Sequence, residues 1–224
     1  MDLRERLRVA RLYLVTPGKP AAGSLDTFLP RVLEAGVDVV QLRDKGLEAR
    51  LLLALAAVVR RRTEEFNALF VVNDRVDIAV AAGADGVHVG QRDLPVEEAR
   101  RQIGKERLVG LSTHSREEVL AAAGTTVDYI AVGPVFATPT KPGRPAVGPE
   151  LVSFAAKRTS LPFFAIGGID RGSLAAVIEA GARRVAVVRA LTDASDPAIV
   201  ARAIAETLLA AGERPGANQP QAGS

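Results

Sequence analysis

The stretch E-A-G-V-D at residues 34–38 joins the end of one predicted helix to the start of the next predicted strand. Related stretches recur as A-G-A-D at 82–85, A-G-T-T-V-D at 123–128 and A-G-A-R at 180–183. In each of them a glycine can take the positive φ that ends a helix, and an apolar run typical of a buried strand follows. The recurrence predicts a chain of alternating helices and strands.

Apolar runs between these stretches extend the pattern to eight predicted strands, at residues 11–16, 37–43, 68–72, 86–89, 107–111, 128–132, 162–166 and 183–188. A closed parallel (β/α)8 TIM barrel needs about 200 residues or more, so an α/β chain of 224 residues accommodates one. An open doubly wound sheet is the alternative. Its glycine-rich phosphate-binding fingerprint is absent, since the loop after the first strand begins T-P-G.

The two ends of the chain differ from this pattern. Residues 2–9 predict a short N-terminal helix, and the segment 212–224 is polar and rich in proline and glycine. We therefore assign residues 1–211 to a single barrel domain and predict that 212–224 form a disordered tail.

Composition narrows the classes of function. Apolar residues make up 48% of the chain and aromatic residues 4%, which suits a sheet buried on both faces and not a platform for stacking nucleic-acid bases. The absence of cysteine excludes disulfides, zinc–thiolate sites and thiol catalysis. The net charge of +3 is spread along the chain, so no nucleic-acid partner is expected. No segment resembles a signal peptide or a membrane span, and we expect a soluble cytoplasmic protein without a membrane partner. Homo-oligomerisation stays open.

The polar residues of the chain collect where the predicted strands end. In a barrel of this kind, catalytic groups lie at the carboxyl ends of the strands. The candidates, in chain order, are Gln41, Leu42, Arg43, Asp44 and Lys45 at the end of strand two, Asn73 and Asp74 at the end of strand three, Asp93 after strand four, Ser112 and His114 at the end of strand five, Thr138, Pro139, Thr140 and Lys141 after strand six, Gly168 at the end of strand seven, and Val188 and Arg189 at the end of strand eight. Gln41, Arg43 and Lys45 alternate along an extended segment and are predicted to project to one side.

Two types of charge meet in this set. Arg43, Lys45 and Lys141 are cations suited to phosphate oxygens. Asp74 and Asp93 would repel a phosphate unless a divalent metal lay between them, and Mg²⁺ is commonly held by one or two carboxylates together with substrate phosphates. The combination predicts a magnesium–diphosphate site. A second phosphate site is predicted at Gly167, Gly168 and the loop after strand eight, where barrels usually bind phosphate.

The two histidines carry weaker signals. His88 lies within a strand and is predicted to be a hydrogen-bonded core residue. His114 could contact a substrate or merely precede the helix cap at Ser115, and the sequence leaves both readings open. No Ser-His-Asp set stands out, so covalent catalysis is not predicted.

These motifs together resemble the thiamine-phosphate synthase family over about residues 11–209. The matching strings are Q-L-R-D-K (41–45), V-N-D-R (72–75), G-V-H-V-G-Q-R-D-L-P (86–95), S-T-H-S (112–115), V-G-P-V-F-A-T-P-T-K (132–141) and A-I-G-G-I (165–169). The resemblance implies a TIM-barrel transferase of thiamine biosynthesis. Such an enzyme joins hydroxymethylpyrimidine diphosphate to thiazole phosphate or its carboxylate, and it releases diphosphate.

The resemblance also implies roles for individual residues. Residues Gln41 to Lys45, Asn73, Ser112 and Lys141 would hold the pyrimidine diphosphate, with Arg43, Lys45, Ser112 and Lys141 as the catalytic set. Asp74 and Asp93 would bind Mg²⁺. Thr138, Pro139, Thr140, Gly168, Val188 and Arg189 would hold the thiazole phosphate. Two positions depart from the family pattern, because Arg189 stands where serine is common and Pro17 where a polar residue is common.

Two other functions remain as alternatives at this level. A related barrel that only isomerises thiazole phosphate would need the second phosphate site but not the set Arg43, Lys45, Asp74 and Asp93. A non-catalytic binder of thiamine intermediates would not need an intact metal site.

Overall fold

In the computed structural model, which describes residues 2–138, 143 and 145–212, eight parallel strands pair in chain order and the last pairs with the first. The strands are β1 (Leu12–Thr16), β2 (Val39–Leu42), β3 (Leu69–Asn73), β4 (Gly86–Val89), β5 (Leu108–Thr113), β6 (Tyr129–Val132), β7 (Phe163–Ile166) and β8 (Val185–Val187). The predicted closed barrel is therefore confirmed, and the open sheet is excluded.

Helices follow the strands around the outside of the barrel. They are α1 (Leu3–Val9), α2 (Leu25–Glu34), α3 (Ala49–Glu65), α4 (Val76–Ala81), α5 (Val96–Ile103), α6 (Arg116–Ala122), α7 (Gly148–Arg158), α8 (Leu174–Glu179), α9 (Arg189–Thr192) and α10 (Pro197–Gly212). The predicted N-terminal helix is present as α1. The short helix α9 was not predicted, and it begins at Arg189 where the sequence indicated only a loop.

The recurrent glycine stretches lead into every second strand. Gly36, Gly83 and Gly181 have positive φ, as predicted, whereas Gly124 does not. The aspartate that closes three of the stretches accepts a hydrogen bond of 2.7–2.9 Å from a backbone N–H of the preceding strand: Asp38 from Leu12, Asp85 from Phe70 and Asp128 from Val109. Arg183 occupies the corresponding place before β8, and its guanidinium bonds backbone carbonyls instead. These stretches thus anchor β2, β4 and β6 to their neighbours.

The core has two parts. The larger lies between the barrel and the helices and is built mainly from valine, leucine, isoleucine and alanine. The smaller fills the barrel lumen, where Tyr13, Tyr129 and Phe164 pack with aliphatic residues. Leu7 of α1 belongs to this lumen cluster, so α1 closes the end of the barrel where the strands begin. The opposite end stays available for a site.

The carboxyl end of the chain meets the barrel through α10, which includes Gly212. The predicted tail 212–224 was wrong at its first residue, because Gly212 still belongs to this helix. The rest of the tail lies outside the described part of the chain, so it stays a prediction. None of the described helices combines the length and apolar character needed to cross a lipid bilayer.

Candidate active site

A cavity of about 390 Å³ opens at the carboxyl ends of the strands, where the sequence placed the site. The predicted residues that line it are Gln41, Arg43, Asn73, Ser112, Thr138, Gly168, Val188 and Arg189, contributed by the ends of six strands. The closed topology brings these residues together although they are spread over almost 150 positions of the chain. His88 and His114 line the same cavity.

Beside this cavity, one lysine lies between two carboxylates. Lys45 Nζ is 2.7 Å from Asp74 Oδ2 and 3.9 Å from Asp93 Oδ1. We call Lys45, Asp74 and Asp93 the charged cluster. It adjoins the cavity because Asn73, which lines the cavity, immediately precedes Asp74. The three residues come from the loops after β2, β3 and β4, so neighbouring strands create the cluster.

The backbone holds both carboxylates in place. Asp74 has a φ of 60°, in the left-handed region that aspartate and asparagine tolerate better than most residues, and its N–H donates to the His88 carbonyl at 2.9 Å. Asp93 Oδ2 accepts a 2.8 Å hydrogen bond from the Gly90 N–H, which closes a tight turn. Only the remaining oxygen of Asp93 is turned toward Lys45.

Burial raises the pKa of Asp74, and the neighbouring Asp93 carboxyl raises it further, while Lys45 opposes both effects. Two carboxylates so close together favour a cation between them, and the Lys45 ammonium meets that requirement here.

The donor set of the charged cluster fits Mg²⁺, which prefers carboxylate and phosphate oxygens. In the chain as described, no group of three or more aspartate, glutamate or histidine side chains is placed to hold a metal ion. A metal bound by Asp74 and Asp93 would therefore need further ligands from outside the protein, and phosphate oxygens are suitable.

Three residues of the segment 41–45 are placed differently from the prediction. Strand β2 ends at Leu42, so the alternation stops there, and Lys45 turns to the charged cluster while Gln41 and Arg43 line the cavity. The Leu42 side chain is buried in the outer core, so only its backbone can meet a ligand. The Asp44 carboxylate accepts hydrogen bonds from Gly18 and Gly46 and connects two loops.

The loop after β6 is fixed at its start by backbone hydrogen bonds. Val135 and Phe136 donate to the carbonyls of Ile166 and Gly167, which joins this loop to the end of β7. Thr138 lines the cavity. The predicted ligands Pro139, Thr140 and Lys141 lie outside the described residues, and their roles stay predictions.

The second predicted phosphate position lies at the opposite side of the cavity. Gly168 has a φ of 65°, and a Cβ there would come within 2.7 Å of Phe136 Cβ, so only glycine fits without a shift. Arg189 is the first residue of α9, and the first N–H groups of a helix lack acceptors within the helix. Its guanidinium donates to Asp193 Oδ2 at 2.9 Å, an exposed pair one turn along α9.

Sequence reasoning missed Tyr13, which lines the cavity, and Tyr129, which is fully buried in the lumen in contact with it. They are the only tyrosines of the chain, and their hydroxyls are 2.9 Å apart inside the barrel. A single tyrosine within an otherwise apolar strand was the available signal, because a buried hydroxyl needs a partner. His88 is buried with both ring nitrogens in hydrogen-bond contact, as predicted for a core histidine.

His114 combines the two readings that the sequence left open. It lines the cavity, and its Nδ1 contacts the Gly133 carbonyl. Its backbone N–H donates to Glu118 Oε2 at 2.6 Å. Ser115 does cap α6, since its hydroxyl accepts from the Glu118 N–H at 3.2 Å, while the Glu118 carboxylate reaches back to the residue before the cap.

Comparison with known proteins gives a consistent result. The family model described as thiamine monophosphate synthase matches residues 12–191. A thiamine-phosphate synthase of Acidothermus cellulolyticus is 52% identical over 211 residues, which cover 93% of this chain and 100% of that protein. A thiamine-phosphate synthase of Thermobifida fusca is 51% identical over 211 residues, which cover 93% of this chain and 97% of that protein. A solved structure of thiamine phosphate pyrophosphorylase from Pyrococcus furiosus is 31% identical with a TM-score of 0.82, covering 94% of this chain and 99% of that one.

Proposed function

The chain belongs to the thiamine monophosphate synthase family, and from this premise we propose how its barrel makes thiamine phosphate from hydroxymethylpyrimidine diphosphate and thiazole phosphate. The observation that carries the proposal is the charged cluster of Lys45, Asp74 and Asp93 beside a cavity with a glycine turn at its far side. One side suits a diphosphate with its metal, and the other suits a single phosphate.

The diphosphate would bind at the charged cluster. Asp74 and Asp93 would hold Mg²⁺, which when bound supplies charge neutralisation to a departing diphosphate. Lys45 is already beside both carboxylates, and Arg43 lines the cavity. These two cations would bind the phosphate oxygens directly, and Lys141 is proposed to join them.

The pyrimidine ring would occupy the cavity, against Gln41, Asn73 and Ser112. Thr138, Gly168 and the backbone of Val188 and Arg189 would hold the thiazole phosphate on the opposite side, with Pro139 and Thr140. The two substrates then face each other across the cavity.

The protein's contribution to the reaction is positioning and charge. When the bond from the pyrimidine methylene carbon to the diphosphate oxygen breaks, the electron pair leaves with the diphosphate, and Lys45 and Arg43 stabilise that negative charge. The aminopyrimidine ring delocalises the positive charge left on the methylene carbon. The thiazole nitrogen attacks this carbon with its lone pair, so no general base is required. Holding both substrates side by side in one cavity replaces a bimolecular encounter.

A simple assay tests the proposal. The purified chain with both substrates and Mg²⁺ should form thiamine phosphate and diphosphate in equal amounts. Chromatography measures the thiamine phosphate, and an enzymatic assay measures the diphosphate. Omission of either substrate should abolish both products. Turnover of a thiazole phosphate isomer without the pyrimidine substrate, and no thiamine phosphate, would instead support the isomerase alternative. Binding without any product would support the non-catalytic alternative. The cytoplasmic location and oligomeric state stay predictions.

The Arg189 position yields a prediction of a small effect. Arg189→Ser keeps the backbone N–H and removes a guanidinium that already pairs with Asp193. We therefore expect KM for thiazole phosphate to change less than about twofold, as is usual for loss of an exposed ion pair. Steady-state kinetics with each substrate varied in turn measures this.

Asp193→Asn is the matched control, since it breaks the same ion pair and leaves Arg189 in place. A several-fold rise in KM for thiazole phosphate in Arg189→Ser, but not in Asp193→Asn, would show that the guanidinium binds phosphate and would contradict the backbone model.

A further inference from the structure

A continuous line of hydrogen bonds crosses the floor of the cavity. Gln41 Nε2 donates to the Tyr13 hydroxyl at 2.8 Å, and this hydroxyl is 2.9 Å from that of Tyr129. The Tyr129 hydroxyl is 3.2 Å from His88 Nδ1, and His88 Nε2 is 2.9 Å from the Ser112 hydroxyl. We call Gln41, Tyr13, Tyr129, His88 and Ser112 the lumen relay. Its two ends, Gln41 and Ser112, are both residues of the proposed pyrimidine pocket.

The donors in this line can be assigned one after another, because a hydroxyl has a single hydrogen to donate. The Tyr13 hydroxyl accepts from Gln41, and the Tyr129 oxygen is its other hydrogen-bond partner, so we assign the Tyr13 hydrogen to the Tyr129 oxygen as its acceptor. The Tyr129 hydrogen then points to His88 Nδ1, which acts as the acceptor. A neutral imidazole that accepts at Nδ1 carries its proton on Nε2, and that proton is donated to Ser112 Oγ. All the hydrogen bonds thus run in one direction.

The direction determines what each end offers to a ligand. Ser112 accepts from His88, so its own hydrogen is left to be donated into the cavity that it lines. Gln41 uses its NH₂ group on Tyr13, and its Oε1 accepts no hydrogen bond from the described residues, which leaves an acceptor. The cavity floor therefore presents one acceptor and one donor.

The surroundings prevent the relay from rearranging. Tyr13 and Tyr129 are almost fully buried, and both pack edge to face against Phe164 with ring centroids 5.0 and 5.8 Å apart. Gly110 on β5 is in register with His88 on β4 and Tyr129 on β6, and its missing side chain lets the two rings approach over it. Burial also raises the pKa of both phenols, so both keep their hydrogens at neutral pH.

We propose that the lumen relay fixes His88 as the Nε2–H tautomer and thereby holds Gln41 as an acceptor and Ser112 as a donor for the pyrimidine substrate. Tyr13 and Tyr129 are positioning residues in this scheme, acting through Gln41 and Ser112. An aminopyrimidine offers the complementary pair, an amino N–H and a ring nitrogen with a lone pair. The identity of the ligand rests on the proposed function, whereas the tautomer is a property of the protein alone.

The tautomer is measured first, by ¹⁵N NMR of the imidazole nitrogens in the ligand-free protein at neutral pH. The chain has only two histidines, and a His88→Asn spectrum identifies the signals of His88. We expect the ¹⁵N chemical shift of Nε2 to lie in the range of protonated imidazole nitrogens and that of Nδ1 in the range of unprotonated ones. Tyr129→Phe removes the donor to Nδ1, so the tautomers should mix or reverse. Tyr13→Phe leaves that donor in place, so the Nε2–H tautomer should persist.

Kinetics then test the positioning role. Tyr13→Phe and Tyr129→Phe should each raise KM for the pyrimidine diphosphate roughly three- to tenfold, the range expected for loss of one hydrogen bond. KM for thiazole phosphate should not change, since the two hydroxyls bond only each other, Gln41 and His88, none of which is assigned to that substrate. Thr113→Val is the matched control, because it likewise removes one buried hydroxyl. Thr113 lies on β5, and its hydroxyl donates to the Ala131 carbonyl, outside the relay.

Each negative result has a separate meaning. An Nδ1–H tautomer in the wild type, or Phe variants with unchanged pyrimidine KM in an active enzyme, would overturn the relay and leave the proposed function standing. A wild type that makes no thiamine phosphate but shows the Nε2–H tautomer and its loss in Tyr129→Phe would overturn the function and leave the fixed tautomer. Equal rises in both KM values, or the same rise in Thr113→Val, would overturn the positioning role. The two tyrosine hydroxyls would then contribute only to the stability of the barrel.

Discussion

Replacement of Asp74 by asparagine should lower kcat by roughly a hundredfold or more while the protein remains folded. The proposed Mg²⁺ would lose a carboxylate ligand and, with it, neutralise the departing diphosphate less well; several kcal/mol of such stabilisation corresponds to at least this factor in rate. Asparagine suits the position because it tolerates the left-handed φ of 60°. Initial rates at saturating substrates, across a range of Mg²⁺ concentrations, measure the effect. Asp93→Asn should behave alike.

Asp74→Asn should lower kcat without lowering the stability of the metal-free protein. The pKa of Asp74 is raised by burial and by Asp93, so the folded protein binds the Asp74 proton more tightly than the unfolded chain does. The ionised carboxylate therefore opposes folding once the pH exceeds that raised pKa. Asp74→Asn removes this charge, and Tm without metal should stay the same or rise. Added Mg²⁺ should raise Tm of the wild type more than that of the variant.

Asp77→Asn is the control for these measurements. Asp77 is only three residues away and pairs with Arg75 on the exposed side of α4, outside the charged cluster. The Asp77→Asn variant should keep the wild-type kcat and the wild-type rise in Tm on addition of Mg²⁺. Removal of divalent ions with EDTA should reproduce the Asp74→Asn result in the wild type, and readdition of Mg²⁺ should restore activity. Undiminished turnover in metal-free buffer would refute the role assigned to Asp74 and Asp93.

The sequence predicted the barrel because its information is local and repeated. A glycine stretch such as 34–38 ends a helix and starts a strand whatever lies elsewhere in the chain, and eight such alternations leave few topologies. Errors occur where local signals compete. Asp170 stands before an apolar run and by itself predicts a helix cap at that position, but its carboxylate accepts from the N–H groups of Gly172 and Ser173, and α8 begins only at Leu174. The preference of aspartate for such turns decided this segment.

The site was predictable to the extent that topology alone creates it. The carboxyl ends of parallel strands meet at one end of a barrel, so Asn73, Ser112 and Gly168 could be grouped without coordinates. The turn of Lys45 toward Asp74 could not, because it depends on where β2 ends. The contact between Tyr13 and Tyr129 spans 116 positions through the lumen, and no periodic pattern encodes which inward side chains touch across a barrel.

The close approach of the His88 and Tyr129 rings over Gly110 makes this glycine sensitive to substitution. In Gly110→Ala the new Cβ would lie 2.2 Å from Tyr129 Cζ and 2.5 Å from His88 Nδ1. Neither ring can retreat, since Tyr129 is fully buried against Tyr13 and Phe164. The backbone of Gly110 is not in the left-handed region, so the cost is purely steric. We expect a loss of about 3 kcal/mol in the free energy of unfolding, at the upper end for overpacking.

Chemical denaturation, together with the His88 NMR signals, measures this loss. For a chain of this size, Tm should fall by roughly 6–12 °C. Gly124→Ala is the matched control, because a Cβ there meets only one backbone oxygen, at 3.6 Å, and it should change stability by less than about 0.5 kcal/mol. Adding Tyr129→Phe should rescue Gly110→Ala only slightly, since the closest atom is the ring carbon Cζ, which phenylalanine keeps. Wild-type stability in Gly110→Ala would mean that the rings of His88 and Tyr129 do not meet over β5.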